Sequence, residues 1–131
     1  MEVVHEVGDG AGMFMRIPDG GNDHDLAFFS IGATAGPSEA GSRTVGMYHL
    51  AWQVENLSDL VDFQSRLAEM GALVGATDHT ATKSLYAKDP DGLEFEVMWL
   101  VPLDLLTEQE LSEGGVIKPL DLTRELARFG A

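Results

Sequence analysis

"DHTATKSLYAKDPDGLEFEVMW", residues 78–99, sets two alternating apolar and polar runs on either side of Asp-Pro-Asp-Gly. Pro90 presets one turn torsion and Gly92 tolerates backbone that other residues avoid, so residues 89–92 read as a tight turn. The flanking runs, 83–88 and 94–100, carry the β-branched, aromatic and aliphatic residues that fit a pleated surface, and the spacing predicts two antiparallel strands. On the second strand Phe95, Val97 and Trp99 share one face while Glu94, Glu96 and Met98 share the other. One face is therefore built to pack, and the opposite face carries carboxylates.

Upstream, "YHLAWQV" (48–54) alternates again, with Leu50, Trp52 and Val54 on one face and His49, Ala51 and Gln53 on the other. "NLSDLVDFQSRLAEMG" (56–71) changes period: Leu60, Phe63, Leu67 and Met70 recur every three or four residues, which predicts an amphipathic helix. Ser58 is a candidate N-cap and Gly71 a candidate C-cap. A further strand is expected near "ALVGAT" (72–77), so residues 47–100 read as a complete β-α-β-β-β module.

The chain opens differently, with expected strands at 3–7, 13–17 and 25–31 and no helix between them. Laying "MFMRIPDG" (13–20) over "LYAKDPDG" (85–92) puts an aromatic residue four positions before a Pro-Asp-Gly turn in both, as an internal repeat would. Residues 1–31 then read as the strands of a partial first module, and residues 32–46, rich in Gly, Ala, Ser and Pro, as a linker. Residues 101–131 form a tail of the same domain, with a capping-box pattern at Thr107 and Glu110 and a short amphipathic segment at "LTRELARF", expected to wrap the outside of the sheet. The fold class is thus α+β.

Composition narrows the function classes. A chain of 131 residues that is 44% hydrophobic can bury a core, and its formal net charge of −14 disfavours nucleic acid and anionic membrane as partners. With no cysteine, neither a disulfide framework nor a thiolate metal cluster is available, and a cytoplasmic setting is expected. The sequence holds no signal-peptide pattern and no apolar run of membrane length.

His49 and Glu96 lie on different strands of one module, on its less apolar face. One imidazole and one carboxylate are two of the three groups of a facial triad that holds non-heme iron. By themselves the residues leave open a structural His49 and a solvated Glu96.

"YHLAWQV", "DHTATKSLYAKDPDGLEFEV" and the closing "PLD" resemble the vicinal oxygen chelate superfamily of glyoxalases, bleomycin resistance proteins and extradiol dioxygenases, closest to its catechol-dioxygenase-like members. The resemblance covers most of the chain and implies paired βαβββ modules forming an open cup-shaped mixed sheet around a divalent metal, Fe(II) or Mn(II). It implies His49 and Glu96 as metal ligands, and Tyr86 and His79 as acid-base groups lining the pocket of a small aromatic substrate. Asp25, in "GNDHDLAFF", stands where extradiol members carry a second histidine, and the resemblance makes it either a catalytic group or a third ligand. His24 should turn the other way, and His5 reads as a surface residue. The resemblance also implies an opening strand and helix, with a metal ligand, that precede residues like "MEVVHEV"; without them the metal should be held weakly or not at all and the chain should pair as a homodimer. Three activities follow: an extradiol-type dioxygenase, a glyoxalase-type lyase or isomerase, or a small-molecule binding protein holding an aromatic ligand against Trp52 or Trp99.

Overall fold

The structure is a computed structural model that describes residues 1–40 and 43–130. It divides into two compact units, residues 1–36 and 37–131, the last residue lying outside the description. Of the linker expected over 32–46, Gly41 and Ser42 also lie outside the described residues.

The first unit is a three-stranded antiparallel sheet in the order β1 (Glu2–Val7), β2 (Gly12–Arg16), β3 (Leu26–Phe29). Gly8, Asp9 and Gly10 all take positive φ in the turn between β1 and β2, which is why that turn is written in Gly and Asp. Gly12 starts β2 under tight constraint: a Cβ there would lie 2.7 Å from Val7 Cγ2 and 3.0 Å from the Phe29 ring.

The second unit runs β4 (Leu50–Val54), α1 (Leu57–Glu69), β5 (Leu73–Asp78), β6 (Thr82–Lys88), β7 (Glu94–Leu100), α2 (Glu108–Ser112), β8 (Lys118–Pro119) and α3 (Leu122–Phe129). Its five strands are ordered β4-β7-β6-β5-β8, with β4 parallel to β7 and the other pairs antiparallel. The β-α-β-β-β order expected over 47–100 is present, and β7 spans the residues expected of it. Neither sheet closes into a barrel, and the fold is mixed α+β.

The core forms where α1 meets one face of the second sheet. Leu60, Leu85 and Val101 are fully buried, joined by Leu57, Leu67, Ala87, Val97 and Trp99. Burying one such leucine contributes roughly 1.5–3 kcal/mol relative to leaving it exposed. Trp99 packs its ring at a tilt against Phe129 of α3, centroids 5.5 Å apart, and donates its indole N–H to Glu55 O at 3.3 Å, so it is a packing residue.

Three local expectations change. Asn56, not Ser58, caps α1: the Asp59 carboxylate accepts from both the Asn56 backbone N (3.2 Å) and its Nδ2 (3.0 Å), closing the first turn two residues earlier. Met70, expected on the buried stripe, is 76% exposed, because α1 ends at Glu69 and Gly71 turns the chain away with φ +67°. The tail enters the fold: β8 pairs with the edge of β5, while Val101, Leu106 and Leu122 join the core. The expected capping box is present, Thr107 Oγ1 accepting from Glu110 N at 3.2 Å and the Glu110 carboxylate accepting from Thr107 N at 2.9 Å.

Both Pro-Asp-Gly segments make the same four-residue turn, Gly20 N donating to Ile17 O and Gly92 N to Asp89 O, each at 3.0 Å. They differ in backbone: Asp19 takes φ +62° in the first, whereas in the second Gly92 carries φ +83°. Asp89 reinforces the second turn by accepting from Asp91 N and Leu93 N at 2.9 and 2.8 Å.

Candidate functional site

Strand register assembles one polar face of the second unit. Glu96 lies opposite Ala51 on β4 and opposite Tyr86 on β6, and Tyr86 lies opposite Gly75 on β5. Residues paired across a sheet share a face, so Tyr86 and Glu96 are side-by-side neighbours. His49 precedes β4 with the parity of Ala51, and His79 follows β5 with the parity of Gly75. Four sequence-selected residues thus meet on the face opposite α1.

Their contacts form two linked pairs. His49 Nε2 and Glu96 Oε2 are 3.0 Å apart, with side chains only 23% and 11% exposed. His79 Nε2 and the Tyr86 hydroxyl are 3.1 Å apart, and the His49 and Tyr86 rings lie 5.6 Å apart at a steep angle. Burial, and next the negative charge of Glu96, raise the Tyr86 pKa above the ordinary phenol value, so its hydroxyl keeps its proton at neutral pH. At the rim, the Glu94 carboxylate accepts a hydrogen bond from Tyr48 and raises that phenol's pKa as well.

The His49–Glu96 pair suits a divalent cation in kind, being an imidazole nitrogen and a carboxylate oxygen. At 3.0 Å the two atoms touch directly as an ion pair, so what speaks for a cation is the type and proximity of the donors. Among the described residues no group of three His, Cys, Asp or Glu converges to complete such a site. His49 Nδ1 is buried and has no hydrogen-bond partner among the described residues.

Asp25 belongs to the first unit. Its carboxylate accepts from Ile17 N at 2.8 Å and from Asn22 Nδ2 at 2.7 Å, and these bonds, the Asn22 one foremost, lower its pKa. His24 pairs with Asp23 at 3.0 Å, and His5 is exposed on β1.

The opposite face of the second unit holds a charged cluster that sequence reasoning passed over. Lys83, whose side chain is 3% exposed, donates to Asp78 and lies 3.1 Å from Glu125 of α3, while Arg124 reaches Asp78 at 3.2 Å and Glu125 at 2.7 Å. These residues, with Thr80, Glu110, Lys118 and Arg128, line a cavity of about 260 Å³. Lys83 shares strand parity with Leu85 and Ala87, and a cation in an apolar row is the signal that called for a buried partner.

Residues 1–97 match the family described as Glyoxalase/Bleomycin resistance protein/Dioxygenase superfamily. No protein of curated function is significantly similar in sequence. The fold resembles the crystal structure of a glyoxalase/dioxygenase from Nostoc punctiforme, with TM-score 0.58 and 20% identity over 72% of this chain and 63% of that one. It also resembles a proposed glyoxalase from Bacillus halodurans, with TM-score 0.55 and 16% identity over 75% of this chain and 74% of that one. The chain therefore spans less than two thirds of the Nostoc protein, and at these identities the likeness is one of fold. The family match covers most of the sequence, and the chain belongs to the glyoxalase, bleomycin resistance protein and dioxygenase superfamily.

Proposed function

We propose that the second unit carries half of a divalent-metal site for an extradiol-type dioxygenase acting on a small catechol-like aromatic, with His49 and Glu96 as the metal ligands and Tyr86 and His79 as the proton-handling pair. The observation that supports it most is the placing of a His–carboxylate pair and a His–Tyr pair side by side on one sheet face, joined through the cross-strand neighbours Tyr86 and Glu96. Fe(II) or Mn(II), when bound, supplies Lewis acidity to a coordinated oxygen. His49 and Glu96 would hold the ion, and a substrate bound to it would lie beside Tyr86, the cross-strand neighbour of Glu96. The Tyr86 hydroxyl would meet a substrate oxygen bound beside Glu96, and His79 Nε2, 3.1 Å from that hydroxyl, would receive the proton passed on. With these two side chains as its ligands among the described residues, the ion would be held weakly and much of its coordination sphere would be left to water.

The test is turnover in excess Fe(II) or Mn(II), following oxygen uptake and the ring-opened product of catechol. Equal oxygen and catechol consumption is expected, abolished in His49→Ala and Glu96→Ala. Metal occupancy by equilibrium dialysis, at a metal concentration that loads the parent, that is the same in His49→Ala would remove the site. One similar structure is described as a glyoxalase/dioxygenase and the other as a proposed glyoxalase, and this keeps a metal-dependent isomerase as the second reading; turnover of a thiohemiacetal without oxygen would select it.

A further inference from the structure

We infer that the backbone carbonyl of Val116 locks His79 in the Nδ1–H tautomer, so that the Tyr86–His79 pair is set to take a proton from the site and not to give one. His79 Nδ1 lies 3.0 Å from Val116 O and its Nε2 lies 3.1 Å from the Tyr86 hydroxyl. A carbonyl oxygen only accepts, so Nδ1 must carry the hydrogen, and in the neutral ring Nε2 is then a lone pair. Nε2 can then only accept, and the donor facing it is the Tyr86 O–H at 3.1 Å, a proton for which the Glu96 carboxylate is the other acceptor. The tyrosine oxygen keeps lone pairs that can accept a hydrogen bond from the site.

The tail places this carbonyl. β8 runs antiparallel to β5, with Thr77 opposite Pro119 and Asp78 opposite Lys118. Continuing that pairing by one or two residues brings Val116 beside His79, and Gly115, with φ +73°, bends the preceding chain into position. His79 is itself held by its backbone, its N–H donating to Thr82 O at 2.9 Å and its C=O accepting from Ala81 N at 2.9 Å. The ring is therefore fixed from the main chain and from Nδ1, leaving one nitrogen free to act.

This inference rests on the proposed dioxygenase reading only for its chemical use. There, a substrate hydroxyl passes its proton to Tyr86 Oη as Tyr86 passes its own proton to His79 Nε2. One substrate O–H bond breaks, one Tyr O–H bond is exchanged for another, and one N–H bond forms. The imidazolium keeps its Nδ1–H bonded to Val116 O, so the lock survives the transfer and offers an acceptor to the new charge. A substrate with an ionisable hydroxyl suits this polarity.

The test reads the tautomer directly. With ¹⁵N-histidine-labelled chain free of metal, a two-bond ¹H–¹⁵N correlation at about pH 9, above the ordinary imidazole range, should show His79 with a protonated Nδ1 and a strongly downfield, lone-pair Nε2. The resonance is assigned by its loss in His79→Gln. In Tyr86→Phe the pattern should persist, because Val116 sets it. An Nε2–H pattern in the parent overturns the inference, as does a switch to that pattern in Tyr86→Phe; should the variant not fold, the parent spectrum alone decides. Neither readout needs metal or turnover, so failure of the catechol assay leaves it standing, and the reverse also holds.

Discussion

Replacing Asp78 by Ala should be among the most damaging single changes in the second unit. The Asp78 carboxylate, 5% exposed as a residue, accepts from Lys83 Nζ, from Thr80 N at 2.8 Å and from Arg124 at 3.2 Å. Three losses follow, of unequal weight. Arg124 is 59% exposed, so its share is within the range of a surface ion pair, about 0–1 kcal/mol. The Thr80 amide, in a buried residue held at φ +70°, loses its acceptor, at about 1–3 kcal/mol for an unsatisfied group. Lys83 is left buried with Glu125 alone, and breaking such a pair typically costs about 3–5 kcal/mol. Because Glu125 remains, the low end, about 3 kcal/mol, applies to Lys83, and the three losses together come to about 4–7 kcal/mol. At a urea slope of about 2 kcal/mol per molar, the midpoint falls by about 2–3.5 M. Both tryptophans, Trp52 and Trp99, lie in the second unit, so their fluorescence reports its unfolding. Asp78→Ala combined with Lys83→Met should recover part of the loss, since the stranded cation is then gone. A single-variant loss below about 1 kcal/mol, or a double variant no better than the single, would refute the reasoning.

Acid should weaken the same cluster. Burial raises the Asp78 pKa, but the Lys83 hydrogen bond, the Thr80 amide and the two cations outweigh it and leave the pKa below the ordinary carboxylate value; Glu110 is lowered too, first by its hydrogen bond from Arg128. A depressed folded-state pKa gives stability that is present above the unfolded value of about 4 and is lost as pH falls through the folded one, so urea midpoints should decline below about pH 4, less steeply in Asp78→Asn. Gly92→Ala, forced to φ +83°, should destabilise by about 1–2 kcal/mol in the same titration; an unchanged midpoint would contradict the turn geometry. We predict a dimer at micromolar concentration, because β4 is an edge strand with Leu50 42% exposed beside Tyr48 and Met47, at 55% and 66%. A monomer mass by light scattering would count against it.

Strand alternation carried most of this structure into the sequence. Phe95, Val97 and Trp99 were readable as the packed face and Glu96 as part of the opposite one, whereas the placing of Tyr86 beside Glu96 is set by the β6-β7 register. The four residues of the polar face needed family resemblance as well, since periodicity gives a face and not a role. Two things escaped for physical reasons. Asn56 and Asp59 have capping-box spacing, but Ser58 sits nearer the first periodic leucine and is an equally good cap by type. β8 is two residues long and includes a proline, which strand propensity rejects; it exists because the edge of β5 offers hydrogen-bonding groups to whatever segment passes.

The parallel pairing of β4 with β7 also bears on the order in which the molecule assembles. Gly75 meets Tyr86 and Tyr86 meets Glu96, short loops that close early, whereas Leu50 must find Phe95 across a loop roughly four times as long. The β5-β6-β7 meander can therefore form around Tyr86 and Glu96 while β4 is still unattached. His49 arrives last, carried in when β4 docks, and substitutions in β4 should speed unfolding more than they slow folding. The two metal-ligand candidates come from opposite ends of the folding sequence, so a chain caught before β4 docks has its tyrosine and glutamate in place and no imidazole beside them.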